Sequence, residues 1–213
     1  MVTATSDSRR LIGAIAAASL VGAAVTLLLS STPSSSGSRI AKAGTRVPRP
    51  SNAFSWLRPR VAPVGWIGTS IASGGAILFH PPGWKPIPGD KGTVSFALRD
   101  GRGLYRGYLN VTPRQGAERL AGWADFRTNR NRAEGDRQVR EQAAAEGLHF
   151  AAAGGSCVID DYRSRLGSNP YTEVACIASG RRYTNVFIGA ALSRDWGRLG
   201  PLIERAASAL IER

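Results

Sequence analysis

Cys157 and Cys176 are the only two cysteines in a chain of 213 residues, and they lie in its most strand-like part. Apolar and polar residues alternate on both sides of the segment Gly-Ser-Asn-Pro at 167–170. Each of these four residue types favours a turn, so the pattern predicts a β-hairpin. We predict a disulfide between Cys157 and Cys176, which requires an oxidising compartment and therefore an exported protein. The alternative is a pair of reduced, buried thiols.

The register of this hairpin is left open by the sequence. If Cys157 lies directly opposite Cys176, the turn is centred at Leu166 and Gly167, whereas the turn-forming residues are centred near 168–169. A β-bulge or a wider loop would account for the difference.

The positive charge of the chain is divided between two regions. The net charge is +13, from 28 basic and 15 acidic residues. Residues 1–75 hold eight basic and one acidic residue, which gives +7, and residues 76–213 hold 20 and 14, which gives +6. Over half of the excess therefore lies outside the expected folded domain. A nucleic-acid-binding protein concentrates its charge on one face among aromatic side chains, so nucleic acid is not an expected partner.

The segment 11–29 is an uncharged apolar run that follows Arg9 and Arg10. As a helix its 19 residues span about 29 Å, close to the ~30 Å hydrocarbon core of a bilayer. We therefore expect residues 1–30 to be an N-terminal transmembrane anchor, or an export signal cleaved after Ala43. The expected location is the cell membrane, as a single-pass protein whose C-terminal domain is extracytoplasmic; cleavage near Ala43 would make the protein secreted. The basic residues after the run oppose this orientation under the positive-inside rule, whereas the cysteine pair favours it.

Residues 31–75 are rich in Ser, Pro and Arg and have little periodicity. We predict a disordered linker, because such a composition buries too little apolar surface to offset its ordering entropy. Trp56, Leu57 and Trp66 are the exceptions, and they are expected to dock onto the folded domain or the membrane face.

The periodicity of residues 76–213 predicts one α+β domain with a mostly antiparallel sheet covered by helices. The expected elements, in order, are strands at 77–79, 93–98 and 105–112, one broken helix or two helices at about 117–130 and 134–146, strands at 148–152, in the cysteine hairpin and at 182–192, and a closing amphipathic helix that begins near Ser193 or Asp195.

The sequence Phe-His-Pro-Pro-Gly-Trp at 79–84 resembles the opening of PsbP-like domains. The order of the remaining elements is similar, as is an aromatic residue near the start of the last helix, here Trp196. The resemblance covers about 76–213 and implies the α/β/α sandwich that PsbP-like domains share with Mog-type proteins. The chain is most similar to membrane-tethered or secreted actinobacterial relatives of that fold. The resemblance implies a non-enzymatic binding or accessory module and transfers no catalytic residue.

The residue types that form catalytic and metal sites in other proteins lack the required spacing in this sequence. His80, His149 and the two cysteines lack metal-ligand spacing, and Ser156 is not in a nucleophile elbow. The adjacent Asp160 and Asp161 point to opposite faces of a strand, so we interpret them as solvated charges rather than a catalytic pair. The sequence thus predicts no catalytic, cofactor-binding or metal-binding residue. Three tryptophans are expected in the core: Trp84, Trp123 and Trp196.

Basic and acidic residues are interleaved over 127–141. Mixed charges at helical spacing are typical of a salt-bridged, soluble face; contact with anionic lipid headgroups or wall polymers is the alternative. The expected function is an extracytoplasmic, envelope-tethered, non-enzymatic binding or accessory module of unknown ligand. Its expected partners are the cell membrane, through the N-terminal helix, and an envelope protein or anionic polymer. A secreted cell-wall-acting hydrolase is the alternative of a different class.

Overall fold

The computed structural model describes residues 52–213. Short 3-10 turns lie at Asn52–Phe54 and Ser193–Asp195. The strands and helices, in chain order, are β1 (Ile67–Ser70), β2 (Ala76–His80), β3 (Lys85–Pro86), β4 (Val94–Arg99), β5 (Tyr105–Pro113), α1 (Trp123–Ala133), β6 (Arg137–Phe150), β7 (Ala153–Arg163), β8 (Pro170–Ser179), β9 (Thr184–Leu192), α2 (Trp196–Ser208) and β10 (Ile211–Glu212).

Seven strands form one antiparallel sheet in the order β3-β4-β5-β9-β8-β7-β6. Strands β6 to β9 form a meander in which each strand pairs with the next along the chain. Strand β5 joins the earlier hairpin to this meander by pairing with β9. A second, smaller sheet has the order β1-β2-β10.

Successive residues of a strand point to opposite faces of the sheet. In the large sheet these two faces are covered by different helices. One face packs against α2, and its core includes Cys157, Cys176 and Phe187 together with Leu199 and Ile203 of the helix. The other face packs against α1 through a smaller cluster centred on Trp123. The antiparallel α+β architecture predicted from the sequence is therefore present. In the described part of the chain no helix combines the length and apolar character that crossing a membrane requires.

The predicted helix at 134–146 is wrong, because this segment lies in β6, a 14-residue strand at the edge of the sheet. The first predicted helix is present but shorter, as α1 begins at Trp123 and ends at Ala133. Gly135, with φ 93°, ends the helical path, and only glycine adopts such an angle readily. The register of β6 against β7 shifts at three places. These irregularities interrupt the two-residue alternation that would have revealed a strand.

The ordered part of the chain also begins earlier than predicted. The linker was expected to extend to residue 75, but Phe54, Leu57 and Ile71 are buried in the core that α2 covers. Strand β1 pairs with β2, and the backbone N–H of Arg60 donates to the carbonyl of Ser208 at 2.9 Å. A few apolar side chains were thus enough to fold a segment whose average composition favours disorder. Residues 1–51, which include the predicted anchor and the first part of the predicted linker, lie outside the described residues.

The sequence left open whether the cysteine hairpin contains a β-bulge or a wider loop, and the structure has the wider loop. Cys157 lies directly opposite Cys176, and the last paired residues are Arg163 and Pro170. The loop therefore spans 164–169 and is centred at 166–167. Two consecutive residues of this loop have left-handed backbone, Gly167 with φ 72° and Ser168 with φ 51°.

Candidate functional site

Cys157 and Cys176 form a disulfide between β7 and β8, as predicted from their positions on the two arms of one hairpin. Their Cα atoms are 4.1 Å apart, the short separation that characterises a pair without direct backbone hydrogen bonds in an antiparallel ladder. Both residues are fully buried in the core that α2 covers. The disulfide is therefore a structural crosslink of the folded domain and is not accessible for thiol exchange at the surface.

An ion pair is buried on the opposite face of the same strands, beneath α1. The guanidinium of Arg127 donates two hydrogen bonds to the carboxylate of Glu173, from Nε at 2.6 Å and from an Nη at 2.9 Å. Glu173 is completely buried and Arg127 nearly so. Both charges are removed from water, so the fork-like geometry and its two hydrogen bonds are needed to offset their desolvation.

Asp160 is also fully buried, beside this ion pair. Its Oδ2 accepts a hydrogen bond from Asn131 Nδ2 at 3.1 Å, while the Oδ1 atoms of both residues have no partner in the part of the chain that the structure describes. Burial, and then the negative charge of Glu173, raise the pKa of Asp160 to about 8. This environment favours the neutral, protonated form of Asp160, beside the paired opposite charges of Arg127 and Glu173.

Two tyrosines complete the buried cluster. The hydroxyl of Tyr108 donates to Glu173 Oε2 at 3.3 Å and lies 3.1 Å from the hydroxyl of Tyr162. Burial raises the pKa of both phenols well above the usual value. The cluster is closed and charge-balanced, and a substrate has no access to its carboxylates. We assign it a structural role, joining α1 to the sheet.

The structure separates the residues that the sequence analysis weighed for catalysis and metal binding. Asp160 and Asp161 do point to opposite faces, but the expectation that Asp160 is solvated is wrong. Ser156 is buried, and His80 is buried with its ring stacked on Phe96 at 3.7 Å between centroids. His149 is exposed on β6. Within residues 52–213 no three His, Cys, Asp or Glu side chains lie close enough together to hold a metal ion.

The basic residues of 127–140 do not form one surface. Arg127 is the buried partner of Glu173, and Arg130 pairs with Glu134 at 2.7 Å, one turn along α1. Arg137 and Arg140 lie on β6. The predicted salt-bridged face is thus reduced to one exposed pair, and this region presents no continuous site for an anion.

A different group of basic residues lines an open cleft of about 700 Å³. We call it the arginine cleft; its lining residues are Ser73, Gly74, Arg181, Arg182, Tyr183 and Arg213. They come from three separate segments, namely the turn between β1 and β2, the turn between β8 and β9, and the residue after β10. The sequence analysis missed this site. The only sequence signal for it was the Arg-Arg pair in the turn that follows Gly180.

Gly75 joins the three segments beneath the arginine cleft. Its carbonyl accepts hydrogen bonds from the backbone N–H of Arg213 at 3.0 Å and from Asn185 Nδ2 at 3.2 Å. The same amide of Asn185 donates to Glu212 Oε2. Gly75 has no side chain, and a Cβ there would lie 2.7 Å from Cγ of Tyr183, so the aromatic ring packs directly on its backbone.

Glu212 is the buried acidic group at this junction. It is 3% exposed, and its second oxygen, Oε1, has no hydrogen-bond partner among residues 52–213. Burial raises its pKa to about 7, although the hydrogen bond from Asn185 acts in the opposite direction. Chemically, the arginine cleft offers guanidinium donors to an anion, and the carboxyl buried near it ionises less readily than an exposed glutamate.

The sequence matches no protein-family model and no curated protein. Among solved structures it resembles cyanobacterial PsbP (CyanoP) from Synechocystis sp. PCC 6803, with 21% identity and a TM-score of 0.50 over 72% of this chain and 95% of that one. A protein of unknown function from Pseudomonas aeruginosa, PA94, described as a putative regulator, has 12% identity and a TM-score of 0.45 over 70% of this chain and 97% of that one. LpqN of Mycobacterium tuberculosis, described as involved in cell envelope biogenesis, has 12% identity and a TM-score of 0.42 over 68% of this chain and 88% of that one.

The similarity to CyanoP confirms the PsbP-like fold that the sequence at 79–84 predicted. At 21% identity it shows the fold alone, since one fold hosts many unrelated functions.

Proposed function

We propose that this protein is an exported, non-enzymatic accessory module, in which the PsbP-like domain is held at the outer face of the cell membrane by the N-terminal segment and binds a component of the envelope. The observation that carries the proposal is the disulfide between Cys157 and Cys176. It crosslinks two central strands and is sealed in the core. Persistent structural disulfides form in oxidising compartments, whereas cytosolic thiols are kept reduced.

The sequence of residues 11–29 agrees with export, because an uncharged apolar run of this length matches a signal or an anchor. We favour the uncleaved anchor, with secretion after cleavage near Ala43 as the alternative. In either case the folded domain matures outside the cytosol, and the disulfide forms there.

The arrangement of the polar groups favours binding over catalysis. The carboxyl group with the largest upward pKa change, Asp160, is sealed beneath α1 with Arg127 and Glu173. General acid–base catalysis needs such a group within hydrogen-bond reach of the substrate. An open concave surface of the described residues is instead the arginine cleft, whose arginine side chains hold a fixed positive charge at physiological pH.

A labelling experiment in intact bacterial cells tests the location. The full chain with Leu166→Cys places a thiol in the loop between β7 and β8, where Leu166 is 62% exposed. A membrane-impermeant maleimide is expected to label this variant in intact cells, and the wild-type chain is expected to stay unlabelled until it is reduced and unfolded. The matched control is the same variant after lysis. Labelling that occurs only after lysis, or wild-type cysteines that react without reductant, would refute export.

A further inference from the structure

The side chains that line the arginine cleft carry positive charges only. Its six lining residues include three arginines and no aspartate or glutamate. The ion pairs of residues 52–213 use other arginines, and no hydrogen bond found there uses the guanidinium groups of Arg181, Arg182 or Arg213. Three arginines that line one cavity give it a positive potential, and an anion bound between them is attracted to it.

The donors of the cleft suit a tetrahedral phosphate better than a carboxylate. Each guanidinium presents a planar fork of N–H donors, and one fork already satisfies both oxygens of a carboxylate. Three forks match the several oxygens and higher charge of a phosphate group. The hydroxyl of Ser73 accepts a hydrogen bond from Gly75 N at 3.2 Å, which leaves its own proton free to donate to the ligand.

The cleft is larger than one phosphate group. A volume of about 700 Å³ lies in the range of sites that hold whole organic ligands. Tyr183 lines it with a side chain that is 37% exposed and supplies apolar surface for the organic part of a ligand. A phosphate ester or phosphodiester therefore fits better than the free ion.

The backbone beneath the cleft is fixed before any ligand binds. The turn that holds Arg181 and Arg182 is closed by a hydrogen bond from Gly180 N to the carbonyl of Tyr183 at 2.9 Å. Arg213 is tied through its backbone N–H to the carbonyl of Gly75. Binding must then order only the arginine side chains, and this preorganisation lowers its entropic cost.

We propose that the arginine cleft binds a phosphate ester or phosphodiester group, with Arg181, Arg182 and Arg213 holding the phosphate oxygens and Tyr183 contacting the organic part. This inference rests on the proposed function, because it names the ligand class of the binding module. Phospholipid headgroups and soluble phosphate polymers share this chemistry, and the experiment separates them.

The full chain in nonionic detergent micelles is titrated calorimetrically with three probes at about 0.15 M ionic strength, where long-range attraction is screened. The probes are inorganic phosphate, a soluble phosphodiester polymer, poly(glycerol phosphate), and phosphatidylglycerol added to the micelles, compared with phosphatidylcholine. Binding of poly(glycerol phosphate) without a preference for phosphatidylglycerol identifies a soluble polymer as the source, and preference for phosphatidylglycerol identifies the membrane. Inorganic phosphate is expected to bind more weakly than either ester, and equal or tighter binding of inorganic phosphate would overturn the assignment of an ester.

The decisive variant is Arg181→Gln with Arg182→Gln, and the matched control is Arg102→Gln with Arg119→Gln. Both double variants remove two positive charges from exposed positions, but only the first alters the cleft. We expect the cleft variant to lose roughly tenfold or more in affinity, because charge-assisted hydrogen bonds are lost. The control is expected to stay within about twofold. Equal losses in both variants, or no binding of any probe, would overturn the inference.

The two proposals fail independently. The titration uses purified protein and is insensitive to location, whereas maleimide labelling reports location and is insensitive to ligand. If the chain binds phosphate groups but is labelled only after lysis, the proposed ligand class is supported and the proposed location is refuted. If the chain is labelled in intact cells but binds none of the probes, the location is supported and the ligand class is refuted.

Discussion

Glu212 is expected to make the stability of the domain depend on pH. The ordinary pKa of a glutamate is 4.5, and burial raises that of Glu212 to about 7. Below pH 4.5 the residue is protonated in both the folded and the unfolded chain, so it imposes no penalty. Between pH 4.5 and about 7, Glu212 is ionised in the unfolded chain but still protonated in the folded chain. The free energy of unfolding therefore falls as pH rises through this range, until Glu212 also ionises in the folded chain. The stability contribution is therefore present at low pH and lost as pH rises through about 7.

The size of the effect follows from the two pKa values. One pKa unit corresponds to about 1.4 kcal/mol, so a rise from 4.5 to about 7 predicts a loss of ~3 kcal/mol in the free energy of unfolding between pH 4 and pH 8. Glu212→Gln keeps the shape of the side chain and an acceptor for Asn185 Nδ2, but it does not titrate. We expect this variant to lack that part of the pH dependence.

Urea denaturation of wild type and Glu212→Gln at pH 4 and pH 8 measures the difference, since contributions of all other groups cancel between the two proteins. Glu141→Gln, at an exposed position of β6, is the control for removal of one negative charge. If wild type and Glu212→Gln change in parallel with pH, the pKa of Glu212 is the same in the folded and the unfolded chain, and the reasoning is refuted.

Three further predictions concern the sheet. Reduction of the disulfide between Cys157 and Cys176, which closes a loop of about 20 residues, should cost ~3 kcal/mol and lower the melting temperature by roughly 6–12 °C; an unchanged calorimetric melting temperature would show that the crosslink contributes nothing. Gly155→Ala should destabilise the domain by ~1–3 kcal/mol, because the new Cβ would lie 2.4 Å from the Phe150 ring. The matched control is Gly154→Ala, whose Cβ would meet no described atom within 4 Å. Equal denaturation midpoints for the two variants would contradict this prediction. A peptide of residues 134–150 should show a gain of helix in trifluoroethanol by circular dichroism, because its residues favour helix when β7 is absent; a strand spectrum would count against this.

The elements with regular alternation were predictable from the sequence. The hairpin of β4 and β5 and the closing helix α2 lie close to their predicted positions, because one periodicity runs through each of them. Strand β6 was not predictable in this way. Its alanine, glutamate and arginine residues favour helix, and pairing with β7 overrides that preference.

The two polar sites show why the rest could not be predicted. Asp160 is buried beneath α1, where its hydrogen-bond partner Asn131 lies 29 residues earlier in the chain, and no local pattern reveals such a partner. The arginine cleft likewise joins Ser73, Arg181 and Arg213, which only the fold brings together. The disulfide was predictable because its two residues are the only cysteines and lie in one hairpin.

The antiparallel pairing of β5 with β9 determines how the large sheet is assembled. Strands β3 to β5 form one local unit and β6 to β9 another, each held by contacts between neighbours in sequence. The two units meet along one seam, where Pro113 lies opposite Asn185 and Gly107 opposite Ala191. Closing this seam brings together strands about 70–85 residues apart, and the loop-closure entropy must be paid before its ladder forms. We therefore expect the two halves of the sheet to form first and their union to limit the folding rate, so that substitutions at the seam slow folding.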